Sequence, residues 1–244
     1  MEGPPVKALS IKLSSFVNEI INDAKGNAKI NYDEIKNKKI DNIFSIGKNL
    51  FFKINNKYLK IHFLMYGSIR INSFKEMKER LSLITNNGFI NFYNCSVKII
   101  NKKEFKENFD EELDIVSEKW NFEKVLNLIQ KYKNQYICDV LLYQEVFAGV
   151  GNIIKNEALF LAKVHPLSIV EKIPENVLRN IILQTRNFSL KFLETRLNNE
   201  SLKKYLNVYR IKNCKYCNNN IKIKKLGLLN RISFYCEKCQ ILYS

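Results

Sequence analysis

Phe147-Ala148-Gly149-Val150-Gly151-Asn152 is a tight glycine turn set between two stretches of helical periodicity. A dinucleotide-binding fingerprint would need a strand before it and a third glycine at position 154, where Ile154 stands. The turn therefore joins two helices, the second beginning near Asn152. At that point backbone N–H groups and the Asn152 side chain could grip a phosphate at the positive end of the helix dipole, and an ordinary helix cap would use the same residues.

On either side of the turn the apolar residues Phe122, Val125, Leu126, Ile129, Val140, Leu141, Val146, Ile153, Ile154, Leu159 and Leu161 recur at about 3.6-residue spacing, which makes the second half helical. Pro174 falls in the first turn of a long amphipathic helix reaching about Arg196, with Val177, Leu178, Ile181, Ile182, Thr185, Phe188 and Phe192 as its buried stripe. The first 102 residues read differently. After a short helix marked by Ala8, Leu9, Leu13 and Phe16, apolar residues alternate or run in short blocks, as in Asn49 to Ile54, Tyr58 to Phe63, Arg80 to Ile84 and Gly88 to Tyr93. Asn55-Asn56 and Asn86-Asn87-Gly88 mark hairpin turns. The fold class expected is α+β: a β-sandwich domain with a preceding helix over 1–102, a charged linker over 103–121, a helical domain over 122–207 and a finger over 208–244.

The finger is written in the cysteines. Cys214-x2-Cys217 and Cys236-x2-Cys239, eighteen residues apart, have the spacing of a four-cysteine zinc ribbon, whereas Cys95 and Cys138 stand alone as small buried apolar residues. Four thiolates leave no open coordination position, so the zinc expected here is structural. Lys222, Lys224, Lys225 and Arg231 lie between the knuckles and point to nucleic acid. The whole composition agrees: among 244 residues, 40 Lys and Arg against 24 Asp and Glu leave a net charge of +16, which seeks a polyanion. No apolar run approaches the ~18 residues that cross a bilayer, and Lys7, Lys12 and Glu19 interrupt any signal peptide, so a soluble, unexported, intracellular protein is expected, and separately a monomer.

Together the motifs resemble the formamidopyrimidine-DNA glycosylase and endonuclease VIII family over nearly the whole chain, in order. Glu2-Gly3-Pro4-Pro5-Val6 looks like the family's N-terminal run, Gly47-Lys48-Asn49-Leu50-Phe51 like its lysine-bearing strand, and His62 to Arg70 like the segment with its void-filling loop. Leu141 to Pro166 resembles the helix–two-turn–helix element, and the four-cysteine finger with Arg231 completes the set. Two departures stand out. Met1 precedes the glutamate where the family has a nucleophilic N-terminal proline, and Phe92-Tyr93-Asn94-Cys95-Ser96 replaces the family's arginine wedge, which places the chain on the endonuclease VIII-like branch.

The resemblance implies a bifunctional DNA glycosylase and abasic-site lyase acting on oxidised bases, pyrimidines and hydantoins above all, in single-stranded or bubble DNA as well as duplex. It makes the Met1 α-amine the nucleophile, Glu2 the proton donor at the sugar ring oxygen and Lys48 a phosphate contact and auxiliary acid. Met65 becomes the wedge that fills the gap left by the extruded nucleotide, and Asn152, Lys155 and Arg231 the phosphate clamp. A terminal amine, with a reference pKa of about 7.7–8.0, is neutral far more often than a lysine. A relative that binds damaged or branched DNA without catalysis is the alternative; a zinc-ribbon transcription factor would leave Glu2 and Lys48 unexplained. His62 and His165 read as structural.

Overall fold

The structure, a computed structural model, describes residues 1–244 and divides into two compact units: Met1 with Pro5–Asp110, and Glu2–Pro4 with Glu111–Ser244. The first element is helix α1 (Gly3–Lys12), whose Pro4 and Pro5 sit in the first turn, where backbone N–H groups have no helical partner to lose.

The first unit carries strands β1 (Ile20–Ile21), β2 (Asp23–Lys25), β3 (Lys38–Lys39), β4 (Asn42–Ile46), β5 (Asn49–Ile54), β6 (Lys57–Ile71), β7 (Leu81–Thr85) and β8 (Gly88–Asn101). β1 and β3 pair with each other, and the other six form one antiparallel sheet in the order β2-β7-β8-β6-β5-β4. Short strands were expected throughout this unit. Instead β6 has 15 residues and β8 has 14, and their shared ladder breaks once, between Phe63 and Ser68. On one face Leu50, Phe52, Leu59, Ile61, Leu81, Leu83, Ile90 and Phe92 pack with Val6, Leu13 and Phe16. The other face carries Ile46, Phe51, Tyr58 and Ile100. Each such side chain, fully buried, is worth roughly 1.5–3 kcal/mol.

The stretch 103–121 is not a bare linker. Asn101 caps helix α2 (Lys102–Asn108) by accepting from Glu104 N at 2.9 Å, and Phe105 stacks on Tyr58 with ring centroids 4.1 Å apart while Phe109 meets Phe51 edge-on at 4.9 Å. The helix thus covers the second face of the sheet, and the division between units falls at Asp110/Glu111.

In the second unit α3 (Phe122–Ile129), α4 (Ile137–Val140), α5 (Asn152–Leu161) and α6 (Glu175–Leu197) enclose one core. α6 buries Leu178, Ile181, Ile182, Thr185, Phe188 and Phe192, with Thr185 Oγ1 satisfied by Ile181 O at 2.7 Å. The antiparallel hairpin β9 (Lys222–Leu226) and β10 (Arg231–Tyr235) belongs to this same unit, so helical region and finger form one body rather than two domains. No helix is long and apolar enough to cross a membrane.

Candidate functional site

Helix α5 begins at Gly151, which has no side chain with which to cap it. Glu2 supplies the cap: one carboxylate oxygen accepts from Ile153 N at 2.7 Å and the other from Ile154 N at 3.3 Å. A Cβ at position 151 would lie 2.5 Å from the Glu2 carboxyl carbon, so the second glycine of the turn is what admits the carboxylate. Gly3 N adds a bond to Gly149 O at 2.8 Å. An anion at a helix N-terminus gains about 0.3–2 kcal/mol from the dipole. The phosphate expected at these amides is therefore displaced by a resident carboxylate. Asn152 itself is half-buried; its backbone carbonyl accepts from Asn156 Nδ2 at 2.6 Å, and its side-chain oxygen is buried without a hydrogen-bond partner.

In the first unit Lys48 lies in the two-residue turn between β4 and β5, not within a strand as its motif suggested. Across the β5–β6 ladder Asn49 faces His62, and its Oδ1 sits 3.1 Å from His62 Nδ1. The His62 pKa is depressed, first by burial and then by the positive fields of the terminal ammonium, Lys48 and Lys60. The chain terminus, Lys48 and His62 are thus electrostatic neighbours. Sequence reasoning set His62 aside as structural because it has no partner at metal or triad spacing; its partner is reached through strand pairing. Met65 lies on the irregular segment of β6 with 79% of its surface exposed.

Three consecutive residues of α5 tie the helix to the finger. Lys155 is 1% exposed, and its Nζ donates to Ser233 Oγ at 2.9 Å and Ile232 O at 3.2 Å. Burial lowers its pKa to about 8. A side chain so placed fixes β10 against α5 and turns its ammonium toward the hairpin, which argues against the DNA-clamp role expected of it. Asn156 Oδ1 accepts from Phe234 N at 2.9 Å. Glu157, fully buried, accepts from Asn207 N, Asn207 Nδ2, Val208 N and Tyr209 N, all within 3.0 Å. A fourth tie comes from buried Asp139, whose carboxylate takes Leu228 N at 2.7 Å and Leu229 N at 3.0 Å and so holds the hairpin tip. Arg231, just beyond that tip, is exposed. Glu157 and Asp139 were missed in the sequence because their partners lie about 50 and 90 residues away.

The four finger cysteines converge, with all four sulfurs within 4.8 Å of one another. Cys214 Sγ and Cys239 Sγ are 3.7 Å apart, and Cys217 Sγ and Cys236 Sγ 3.4 Å. Sulfurs 2.3 Å from a common tetrahedral ion would stand about 3.8 Å apart, so the cluster is of the right size and donor type to hold a metal. Phe160, Val208, Ile221 and Phe234 pack around it.

Comparison with known proteins agrees with this arrangement. The family "Formamidopyrimidine-DNA glycosylase H2TH domain" matches residues 112–202. The chain is 36% identical over 207 residues to Endonuclease 8-like 3 of Xenopus laevis, a match that covers 80% of this chain and 34% of that protein. It is 29% identical over 199 residues to Endonuclease 8-like 2 of Bos taurus, covering 75% and 58%. The chain thus spans about a third of the length of the first of these curated relatives and less than two thirds of the second. Among solved structures, the formamidopyrimidine-DNA glycosylase of Lactococcus lactis, bound non-covalently to DNA containing an abasic site, superposes with a TM-score of 0.85 at 21% identity, covering 98% of this chain and 99% of that one. At that identity the likeness speaks for the fold.

Proposed function

This chain belongs to the formamidopyrimidine-DNA glycosylase and endonuclease VIII family, on its endonuclease VIII-like branch, and from that membership we propose that it excises oxidised bases from DNA and cleaves the resulting abasic site through a Schiff base on its N-terminal amine. The observation that carries the reading is the anchoring of Glu2 and Gly3. Terminal residues ordinarily fray, and here three hydrogen bonds to the glycine turn and α5 hold residues 2 and 3. A nucleophile one residue upstream is thereby positioned.

In this mechanism the Met1 amine attacks C1′ of the damaged nucleotide, its lone pair forming the N–C bond as the base departs with the glycosidic electrons. The Glu2 carboxylate takes up a proton released by the attacking amine and delivers it to the ring oxygen as the sugar opens, which leaves an imine at C1′. Loss of the C2′ proton then expels the 3′ phosphate and cuts the strand. Lys48 contacts the phosphate flanking the lesion, Met65 fills the vacated stack, and Asn152 and Arg231 grip the backbone. Zinc on Cys214, Cys217, Cys236 and Cys239 supplies no chemistry and holds the finger. DNA with oxidised bases or abasic sites, including single strands and bubbles, is the partner.

Acetylating the terminus tests this directly, because the lone pair is lost while every backbone contact remains. Borohydride trapping and strand cleavage on abasic DNA should vanish, with affinity changing less than about tenfold, or 1.4 kcal/mol. A blocked terminus that traps at the native rate would move the nucleophile to a lysine, Lys48 first.

A further inference from the structure

The chain has seven arginines, and six of them are engaged within it. Arg70, Arg80, Arg179 and Arg186 donate to carbonyl or carboxylate oxygens, and Arg196 and Arg210 lie over the rings of Phe192 and Tyr209. Arg231 is the exception, exposed and without a hydrogen bond, ion pair or ring contact of its own. Its backbone, by contrast, is tethered on both sides, and the two tethers differ. Beyond it the strand is held redundantly: Ile232 O and Ser233 Oγ take the Lys155 ammonium, Phe234 N donates to Asn156 Oδ1, and Phe234 packs in the finger core. Before it the loop from Gly227 to Asn230 has one hydrogen-bonded hold outside the hairpin, the Asp139 carboxylate that takes Leu228 N and Leu229 N.

That hold is closely fitted. Gly227 has φ 74°, and a Cβ there would lie 2.4 Å from both Asp139 carboxylate oxygens, so the loop can rest on the carboxylate only with glycine at this position. Asn230, at φ 50°, turns the chain back with its N–H on Gly227 O, and Arg231 follows at once as the first residue of the ladder, opposite Leu226. Apolar packing does not pin the tip, since Leu228 is 73% exposed. Asp139 itself is mounted on α4 among the buried residues Ile137, Cys138 and Val140. We propose that Asp139 is a positioning residue for Arg231: by fixing the hairpin loop to α4 it sets where the guanidinium meets a DNA phosphate. This rests on the assignment of Arg231 to the DNA backbone and adds to it a residue that is too deeply buried to touch DNA. The sign of the effect is diagnostic. A carboxylate near a phosphate site acts by its field alone against DNA, so removing it would tighten binding, whereas removing a support for Arg231 weakens it.

The test is fluorescence anisotropy over a range of salt concentrations on a duplex carrying a tetrahydrofuran abasic analogue, using native protein, Asp139→Asn, Asp139→Ala, Arg231→Ala and the double variant of the last two. Asp139→Ala should weaken binding at least about threefold and lower the slope of log affinity against log salt by about one unit, as Arg231→Ala does. The double variant should bind within about twofold of Arg231→Ala, because once the arginine is gone its support has nothing to place. Asp139→Asn loses the charge and keeps one acceptor oxygen, so it should fall between native protein and Asp139→Ala; it also carries the test if the alanine variant does not fold. Bound zinc and slow hydrogen exchange at Phe234 N verify an intact finger in each variant. Native or tighter binding in both Asp139 variants, an unchanged salt slope, or a double variant that adds the two losses in full would overturn the assignment. Native protein that neither binds abasic DNA nor traps with borohydride would overturn the glycosylase reading itself, an outcome separate from a trapping enzyme indifferent to Asp139.

Discussion

Helix α5 and the β6 bulge invert the usual distribution of residues in opposite directions. Along α5 a lysine, an asparagine and a glutamate in succession are almost wholly buried, while along the bulge a leucine, a methionine and a tyrosine are exposed. The difference lies in partners. Each buried polar group on α5 has hydrogen bonds from within its own unit, so burial is tolerated and the helix is locked to the finger. The bulge side chains project from a backbone that is closed while the side chains themselves face water. By residue type alone Lys155 would be expected at the surface and Tyr66 in the core, and the structure has them the other way round.

The largest break in this comparison comes from the metal site. Structural zinc in a finger contributes on the order of 10–16 kcal/mol to folding, so chelation should melt the β9–β10 hairpin and abolish DNA binding while hydrogen exchange in the six-stranded sheet stays slow. Equal loss of protection in both units would show that the ion organises more than the finger. Next is Glu157→Ala, which orphans the backbone N–H groups of Asn207, Val208 and Tyr209. A cost of about 3–5 kcal/mol is expected in chemical denaturation, and a cost under 1 kcal/mol would mean that the segment finds other partners.

Lys155 provides a finer test through pH. Its folded-state pKa of about 8 lies below the usual 10.5, so between these values the unfolded chain holds the extra proton and stability rises with pH. In Lys155→Met this rise, on the order of 3 kcal/mol from pH 8 to 10.5, should disappear, which comparison of native and variant unfolding curves will show. Smallest is the contrast between Lys155 and Arg231 on DNA. Arg231→Ala should lower the slope of log affinity against log salt by about one unit, and Lys155→Met should leave the slope unchanged. Equal slopes in both variants would return Lys155 to the phosphate clamp.

The parts of the molecule visible in the sequence were those specified locally. The glycine turn at 149–151, the cysteine knuckles and the stripe of α6 are all fixed by short-range spacing. Helix α2 had a local signal too, since Asn101 and Glu104 form an N-cap pattern and Phe105 and Phe109 are four apart, but its density of charge read as linker. β6 and β8 looked shorter than they are because Leu64 to Gly67 interrupts the alternation that marks a strand. The ties from Asp139, Lys155 and Glu157 depend on residues far along the chain, and no spacing announces them. His62 joins Lys48 and the terminus only once β5 and β6 have paired.

Glu2 and Gly3 are held by residues 149–154, and this imposes a schedule on biosynthesis. At about 5–20 residues per second, the ribosome needs roughly 8–30 s after making Glu2 to deliver its anchor. Throughout that interval Glu2 and Gly3 are without the partners that hold them in the folded chain. Once the glycine turn emerges and α5 forms, the same residues become a helix cap. Glu2 and Gly3 therefore gain their hydrogen bonds only after the strands of the first unit have been made, so the cap that completes α5 joins residues 2 and 3 to the middle of the chain in one late step.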